Sequence, residues 1–170
     1  ASLGIARTFQ NLELFSELTV FDNVLIARSL SMKATLWEAL LRLPRQRKEE
    51  ASERHRTEQI LTDLGLMRYA RSVIRDLPYG VQKLVELARA LALEPRLLLL
   101  DEPATGLDAE LRAEFYQALR QVRAEFETPM LLVTHDLDEC FELGDEMLVL
   151  SSGKLIQSGP PRQVMDRPAN

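Results

Sequence analysis

Two adjacent carboxylates, Asp101 and Glu102, stand at the end of the apolar run LLLL (97–100), and Pro103 stops the run directly behind them. A second apolar run, PMLLVT (129–134), delivers His135 and Asp136 in the same way. Successive side chains at a strand end point in different directions, so one carboxylate can serve a bound cation while the next faces a water. In an open parallel sheet, ligands bind beyond the carboxyl ends of the strands. Asp101, Glu102 and His135 would share that edge, an arrangement suited to phosphoryl transfer, where the protein mainly positions Mg2+, phosphates and an attacking water. Two plainer readings stand beside this one. The two acids could cap the following helix, and a lone histidine is more often a satisfied, partly buried residue.

The elements that would position these residues can be read from periodicity. LLLL and PMLLVT are short unbroken apolar runs separated by the amphipathic AELRAEFYQALRQVRAEF, the strand, helix, strand order of a parallel sheet covered on both faces. Gly4 to Phe9 suits a further short strand. QNLELFSELTVFDNVLIARSL reads as helical, with Val20, Val24 and Ala27 on one face and Thr19 or Asp22 as the cap. KATLWEALLRLPRQRKEEASERHRTEQILTDLGL is also helical, broken near Pro44 and stopped by Gly65. Acids and bases alternate from Arg42 to Arg56, which marks a solvated helix face. In RDLPYGVQKLVELARALALEPR a stripe of Val81, Leu84, Val85, Ala88, Leu91 and Ala92 predicts one helix ending before Pro95. EMLVLSSGKLIQSG predicts a hairpin around Ser152 and Gly153, and PPRQVMDRPAN holds a turn or two of helix.

Composition narrows the function classes. A chain of 170 residues with 46% hydrophobic content can build one domain, or a core with a small lobe. Its net charge of −5 argues against a nucleic-acid partner. The single cysteine, Cys140, excludes an intrachain disulfide and a cysteine zinc cluster, and fits a reducing compartment such as the cytoplasm. No apolar run approaches the length of a membrane span.

Taken together, the motifs resemble the ATP-binding cassette (ABC) ATPases. LLLLDEP looks like their Walker B motif, ATGLD, ending at Asp108, like the D-loop, THD like the H-loop, RTFQ like the Q-loop, and LPYGVQ followed by ARAL like the signature helix. The five occur in the family's order from Arg7 to Asp136. The resemblance implies an α/β, P-loop NTPase-like core with a mostly parallel sheet (1–10 and 95–170), joined to an α-helical subdomain (about 11–94) that includes the signature helix. It further implies ATP and Mg2+ as ligands, with Asp101 and Gln10 on the metal, Glu102 as general base and His135 as the γ-phosphate switch. Leu77, Gly80 and Asp108 would complete the nucleotide contacts. The implied partners are a second nucleotide-binding subunit arranged head to tail, transmembrane permease subunits and, indirectly, a solute-binding protein; the chain would sit on the inner face of the cell membrane through the permease.

The signature departs from the common Leu-Ser-Gly-Gly-Gln. Leu77 and Gly80 match, while Pro78, Tyr79 and Val81 replace the serine, first glycine and glutamine. Losing the serine removes a hydroxyl for phosphate, but the backbone at a helix N-terminus remains an anion site and Gly80 allows close approach. Tyrosine at this place, together with IARTFQN and LTVFDN, is similar to the branch that imports branched-chain amino acids and related polar solutes. The sequence contains no G-x-x-x-x-G-K-[ST]; Gly153 and Lys154 do not supply one, because Leu148 stands at the first glycine position. The expectation is therefore a C-terminal part of an ABC nucleotide-binding subunit, inactive by itself without the P-loop. Two alternatives stay open: an inert module that docks a membrane partner, and a cassette ATPase of a non-transport process.

Overall fold

The computed structural model describes residues 4–8, 14–31, 44–126 and 128–167. Gln10 and the expected helical stretch 33–43 lie outside them. Three parallel strands form the main sheet: β1 (Ile5–Thr8), β2 (Leu97–Asp101) and β3 (Met130–Val133), in that spatial order. Register is uniform, with Ile5 opposite Leu97 and Thr8 opposite Leu100, then Leu98 opposite Met130 and Asp101 opposite Val133. A separate antiparallel hairpin follows, β4 (Met147–Ser151) and β5 (Lys154–Gly159). Ser152 and Gly153 make its turn at φ 49° and 74°. Positive φ at both central residues matches the right-handed twist of the flanking strands.

Among the described residues there are six α-helices: α1 (Val20–Ser31), α2 (Pro44–Asp63), α3 (Tyr79–Ala92), α4 (Ala109–Glu125), α5 (Leu137–Leu143) and α6 (Pro161–Asp166). Residues 14–19 are not helical, contrary to the longer helix expected from the sequence, whose first residues, 10–13, lie outside the described ones. Thr19 starts α1: its hydroxyl accepts from the Asp22 amide at 3.1 Å and donates to the Asp22 carboxylate at 2.6 Å, so both candidate cap residues take part. Asn23, fully buried, accepts from the Phe15 amide and donates to the Phe15 and Thr19 carbonyls, which fixes the non-helical entry instead. α2 stops where Gly65 turns to φ 67°.

α3 lies at the centre. The expected single stripe underestimates its burial, because no residue from Gly80 to Ala92 is exposed and Lys83 and Leu87 are buried as well. One side meets α1 and α2, and others meet β1 and α4. Apolar sequence alone marked one face; contacts on several sides bury the rest. The sheet shows the opposite error. Ala6, Leu98 and Leu100 are buried against the helices, whereas Ile5, Leu131 and Val133 on the alternate positions are 45%, 44% and 48% exposed. Among the described residues the sheet is thus covered on one face, not two, and its strands alternate as half-buried strands do.

Candidate active site

β2 and β3 end side by side, and the backbone does the first part of the positioning. The Glu102 amide donates to the Val133 carbonyl at 2.8 Å, extending the ladder by one rung beyond Asp101. Glu102 itself then turns left-handed, at φ 45°. That conformation is costly for a residue with a side chain and persists only where surroundings impose it. Its effect is to part the two carboxylates. Asp101 stays on the sheet, where Arg7 of β1 donates to Oδ2 at 2.6 Å. Glu102 swings toward β3, and its Oε1 lies 3.1 Å from Nδ1 of His135. The Thr105 hydroxyl approaches the other Glu102 oxygen at 3.4 Å.

His135 is 78% exposed and Glu102 29%, so the pair faces an open edge. The alternative of a satisfied, partly buried histidine fails on burial, since His135 has a partner in Glu102 but is mostly exposed. Nor do Asp101 and Glu102 cap the next helix: Asp108 does, accepting from the Leu111 amide at 2.9 Å. Asp136 caps α5 by accepting from the Asp138 amide, and its own amide donates to the Thr134 hydroxyl. Arg112 of α4 bridges the two loops, donating to the Leu107 carbonyl at 3.4 Å and to Asp136 at 3.3 Å. The loops carrying Asp108 and His135 are therefore tied to each other through one guanidinium.

The start of α3 completes the neighbourhood. Leu77 is half-buried against the core, and its carbonyl accepts from the Gln82 side chain at 2.8 Å. Gly80 is buried against α4: a Cβ there would stand 2.9 Å from a Leu111 methyl, so no larger residue fits without displacement. Tyr79 is exposed and its ring lies over Gly106, where a Cβ would be 3.3 Å from the ring and where φ is 81°. Lys83, one turn on, is buried and donates to the Pro103 carbonyl at 2.9 Å. Burial lowers the Lys83 pKa, opposed by the carboxylates of Glu86, Glu139 and Glu102.

Asp101, Glu102 and His135 meet at this edge, Asp108 caps α4 after the loop that follows Glu102, and Gly80 packs on Leu111 of α4, while Leu77 lies against the core just before α3. Sequence reasoning missed Arg7, Thr105, Arg112 and Lys83. Lys83 lies outside the apolar stripe read from the sequence and gave no signal there, and the others are ordinary polar residues whose partners lie 3 to 94 positions away. A group of three or more metal-ligating side chains is absent among the described residues. Mg2+ does not require one, since it keeps several waters and takes one or two carboxylates plus phosphate oxygens. Asp101 fits that demand, with Arg7 as the partner that a cation would have to share.

Comparison with known proteins now decides the family. The profile of the ABC transporter family matches residues 2–105. The chain belongs to the ABC transporter family. It is 33% identical over 168 residues to the high-affinity branched-chain amino acid transport ATP-binding protein LivG of Escherichia coli K12, covering 99% of this chain and 66% of LivG. It is 37% identical over 167 residues to the sulfate/thiosulfate import ATP-binding protein CysA of Photorhabdus laumondii, covering 98% of this chain and 43% of CysA. Among solved structures it resembles CbiO1 of Clostridium perfringens, part of the ABC transporter complex CbiONQ, with a TM-score of 0.81 at 27% identity, over 97% of this chain and 60% of that one. The fold is that of an ABC ATPase, and the chain spans just under two thirds of the LivG relative's length. Among the described residues no helix is long and apolar enough to cross a membrane.

Proposed function

We propose that this chain is the part of an ABC ATP-binding subunit that carries the hydrolytic edge, and that the whole subunit couples ATP hydrolysis to import of branched-chain amino acids or a similar polar solute. The observation that carries the reading is the 3.1 Å contact between Glu102 and His135 at adjacent strand ends, beside Asp101. A carboxylate held against an imidazole at an open strand edge is placed to accept a proton from water, while His135 restrains its orientation. Asp101 would hold Mg2+, which supplies charge neutralisation of the phosphates when bound. Gln10 is assigned to the same metal by the family pattern and lies outside the described residues. The support for the import branch is the similarity to LivG along nearly the whole chain.

Leu77, just before α3, and Gly80, in its first turn, would meet nucleotide on a second subunit, and Asp108 caps α4. Transmembrane permease subunits are the partners of such an assembly and would keep it at the inner face of the cell membrane; a solute-binding protein would act through them. The exposed Phe15, beside the Arg89 guanidinium at 5.3 Å and next to the unassigned stretch containing Gln10, is the contact we assign to the permease. By itself the 170-residue chain is expected to hold ATP poorly, since its sequence has no P-loop motif to cradle the triphosphate.

The test is Glu102→Gln in the full-length subunit. The amide keeps the shape and loses the proton acceptor, so Mg-ATP should still bind and drive dimerisation while turnover disappears. Near-normal turnover by this variant would remove Glu102 from the role of base.

A further inference from the structure

Lys83 has no part in the family motifs, yet the structure places its ammonium directly beneath the reacting edge. The side chain is 6% exposed, and the hydrogen bond shown for it among the described residues goes to the Pro103 carbonyl, at 2.9 Å. Burying an ammonium in a helix-packed interior is costly unless it is paired, and bonds from a charged donor are shorter and stronger than neutral ones. A leucine or methionine would fill the same space without that cost. The lysine is therefore explained by what it holds. Pro103 follows Glu102, the residue forced to φ 45°, and a proline has no amide with which to anchor the turn from the other side. Its carbonyl is the handle that remains.

The surrounding contacts act on the same short segment. Tyr79, one turn before Lys83, lies over Gly106, and its ring sits 5.5 Å from the Lys83 nitrogen. Gly80 lets α3 close onto Leu111. Between these points the loop is held by two weak internal bonds, Thr105 amide to Glu102 carbonyl and Leu107 amide to Ala104 carbonyl, each 3.2 Å. The strained residue is thus pinned on one side by the β3 rung to Val133 and on the other by Lys83.

We propose that Lys83 is a positioning residue for the hydrolytic step: by holding the Pro103 carbonyl it imposes the left-handed turn that aims Glu102 at His135, and so joins the start of α3 to the catalytic edge. The proposal rests on the reading of Glu102 as the base. It also gives Tyr79, where the family pattern has glycine, a place in the same latch.

Two measurements on Lys83→Met and Lys83→Arg test it. Hydrogen exchange of the full-length subunit should show the Thr105 and Leu107 amides exchanging at least tenfold faster in Lys83→Met, with Leu98 and Leu119 within twofold of wild type. Steady-state kinetics of the full-length subunit should show kcat down at least tenfold and KM for ATP within twofold, because Lys83 positions a group and touches no nucleotide. Lys83→Arg, which keeps a charged donor, should recover most of both. An unchanged loop exchange or an unchanged kcat in Lys83→Met overturns the proposal, as does a uniform loss of protection across β2 and α4 in both variants, which would reduce Lys83 to packing. A wild-type subunit without ATP turnover defeats the parent reading, and the exchange result then decides on the latch separately.

Discussion

Arg28 and Asp101 are both charged residues in ion pairs, and they live under opposite rules. Arg28 is 3% exposed on α1 and binds three groups on two segments: Glu53 of α2 at 2.5 Å, and at the end of α3 Glu94 at 2.8 Å and the Ala92 carbonyl at 3.3 Å. Burial opposes its charge, but the two glutamates outweigh burial and raise the guanidinium pKa. Glu94 sits just past α3 at φ 48°, held by Arg28 and by Arg56 at 2.6 Å. At the strand-end edge, by contrast, Arg7 is half exposed, His135 mostly so, and each carboxylate has one principal partner. A buried charge with several partners resists exchange, because losing any one leaves an uncompensated ion in low dielectric. A half-wet pair can trade its partner for a cation, a phosphate or water at little cost. The helical side resists change, and the strand-end edge could exchange partners as the proposed ligand site requires.

Both regions include a non-glycine residue in the left-handed region, Glu94 on one side and Glu102 on the other. Glu94 is held by arginines reaching back from α1 and α2, whereas Glu102 is held by a backbone rung and by the neighbouring Pro103 carbonyl. The side chain of the first is consumed by the holding; that of the second stays available for the role of base proposed for it.

This contrast can be broken most sharply at Glu102. Glu102→Gln should reduce ATP turnover of the full-length subunit by roughly 10²–10⁴-fold, the usual contribution of a general base, while its melting temperature stays near wild type. A large drop in melting temperature would move Glu102 to the structural side of the comparison. Next in size is the difference between the two sheet faces. Leu98→Ala should cost about 2–5 kcal/mol in denaturant unfolding, as for other fully buried leucines, whereas Leu131→Ala on the open face should cost under about 0.5 kcal/mol. Equal costs would mean that something covers the open face in solution.

Arg28→Met should destabilise by about 2–3 kcal/mol, below the usual 3–5 for a broken buried pair because Glu94 is 60% exposed and solvent screens it. The same clamp has a pH signature. Hydrogen bonding from Arg28, with its charge and that of Arg56 also acting against a smaller burial effect, lowers the Glu94 pKa below its ordinary 4.5. Its contribution is therefore complete above pH 4.5 and is lost as pH falls through the lowered folded value. Stability of wild type should fall in that acid window more steeply than stability of Arg28→Met; parallel curves would remove the clamp from the acid response.

The smallest effect is expected at Asp63, the last residue of α2. Burial, then the nearby Glu125 carboxylate, raises its pKa above 3.8. The sign is opposite to that of Glu94: the charged form is a burden above the raised value, relieved as acid protonates it. It also places a negative charge at a helix C-terminus. Asp63→Asn should stabilise the chain at neutral pH by up to about 0.5 kcal/mol, and a destabilisation would show that the carboxylate has a favourable partner in solution.

The order of the motifs, the ends of β2 and β3 and the turn at Ser152 and Gly153 were legible in the sequence because each depends on neighbours within a few positions: apolar period, breaker residues and turn chemistry. The sequence likewise determined that Asp101, Glu102 and His135 would reach strand ends, since an apolar run must stop where its carboxylates begin. It could not determine which face of the sheet is covered, because LLLL satisfies a strand buried on one side as well as on two. It could not show that Glu102 turns left-handed, that Asp108 takes the capping role, or that Arg7, Arg112 and Lys83 hold the edge in place. Those arrangements pair residues up to 94 positions apart, and no local pattern encodes such a pairing. Only the packing of α3 and α4 brings Lys83 within hydrogen-bonding distance of the carbonyl of Pro103, the residue after Glu102, because a buried charge must find its partner wherever the fold has placed one.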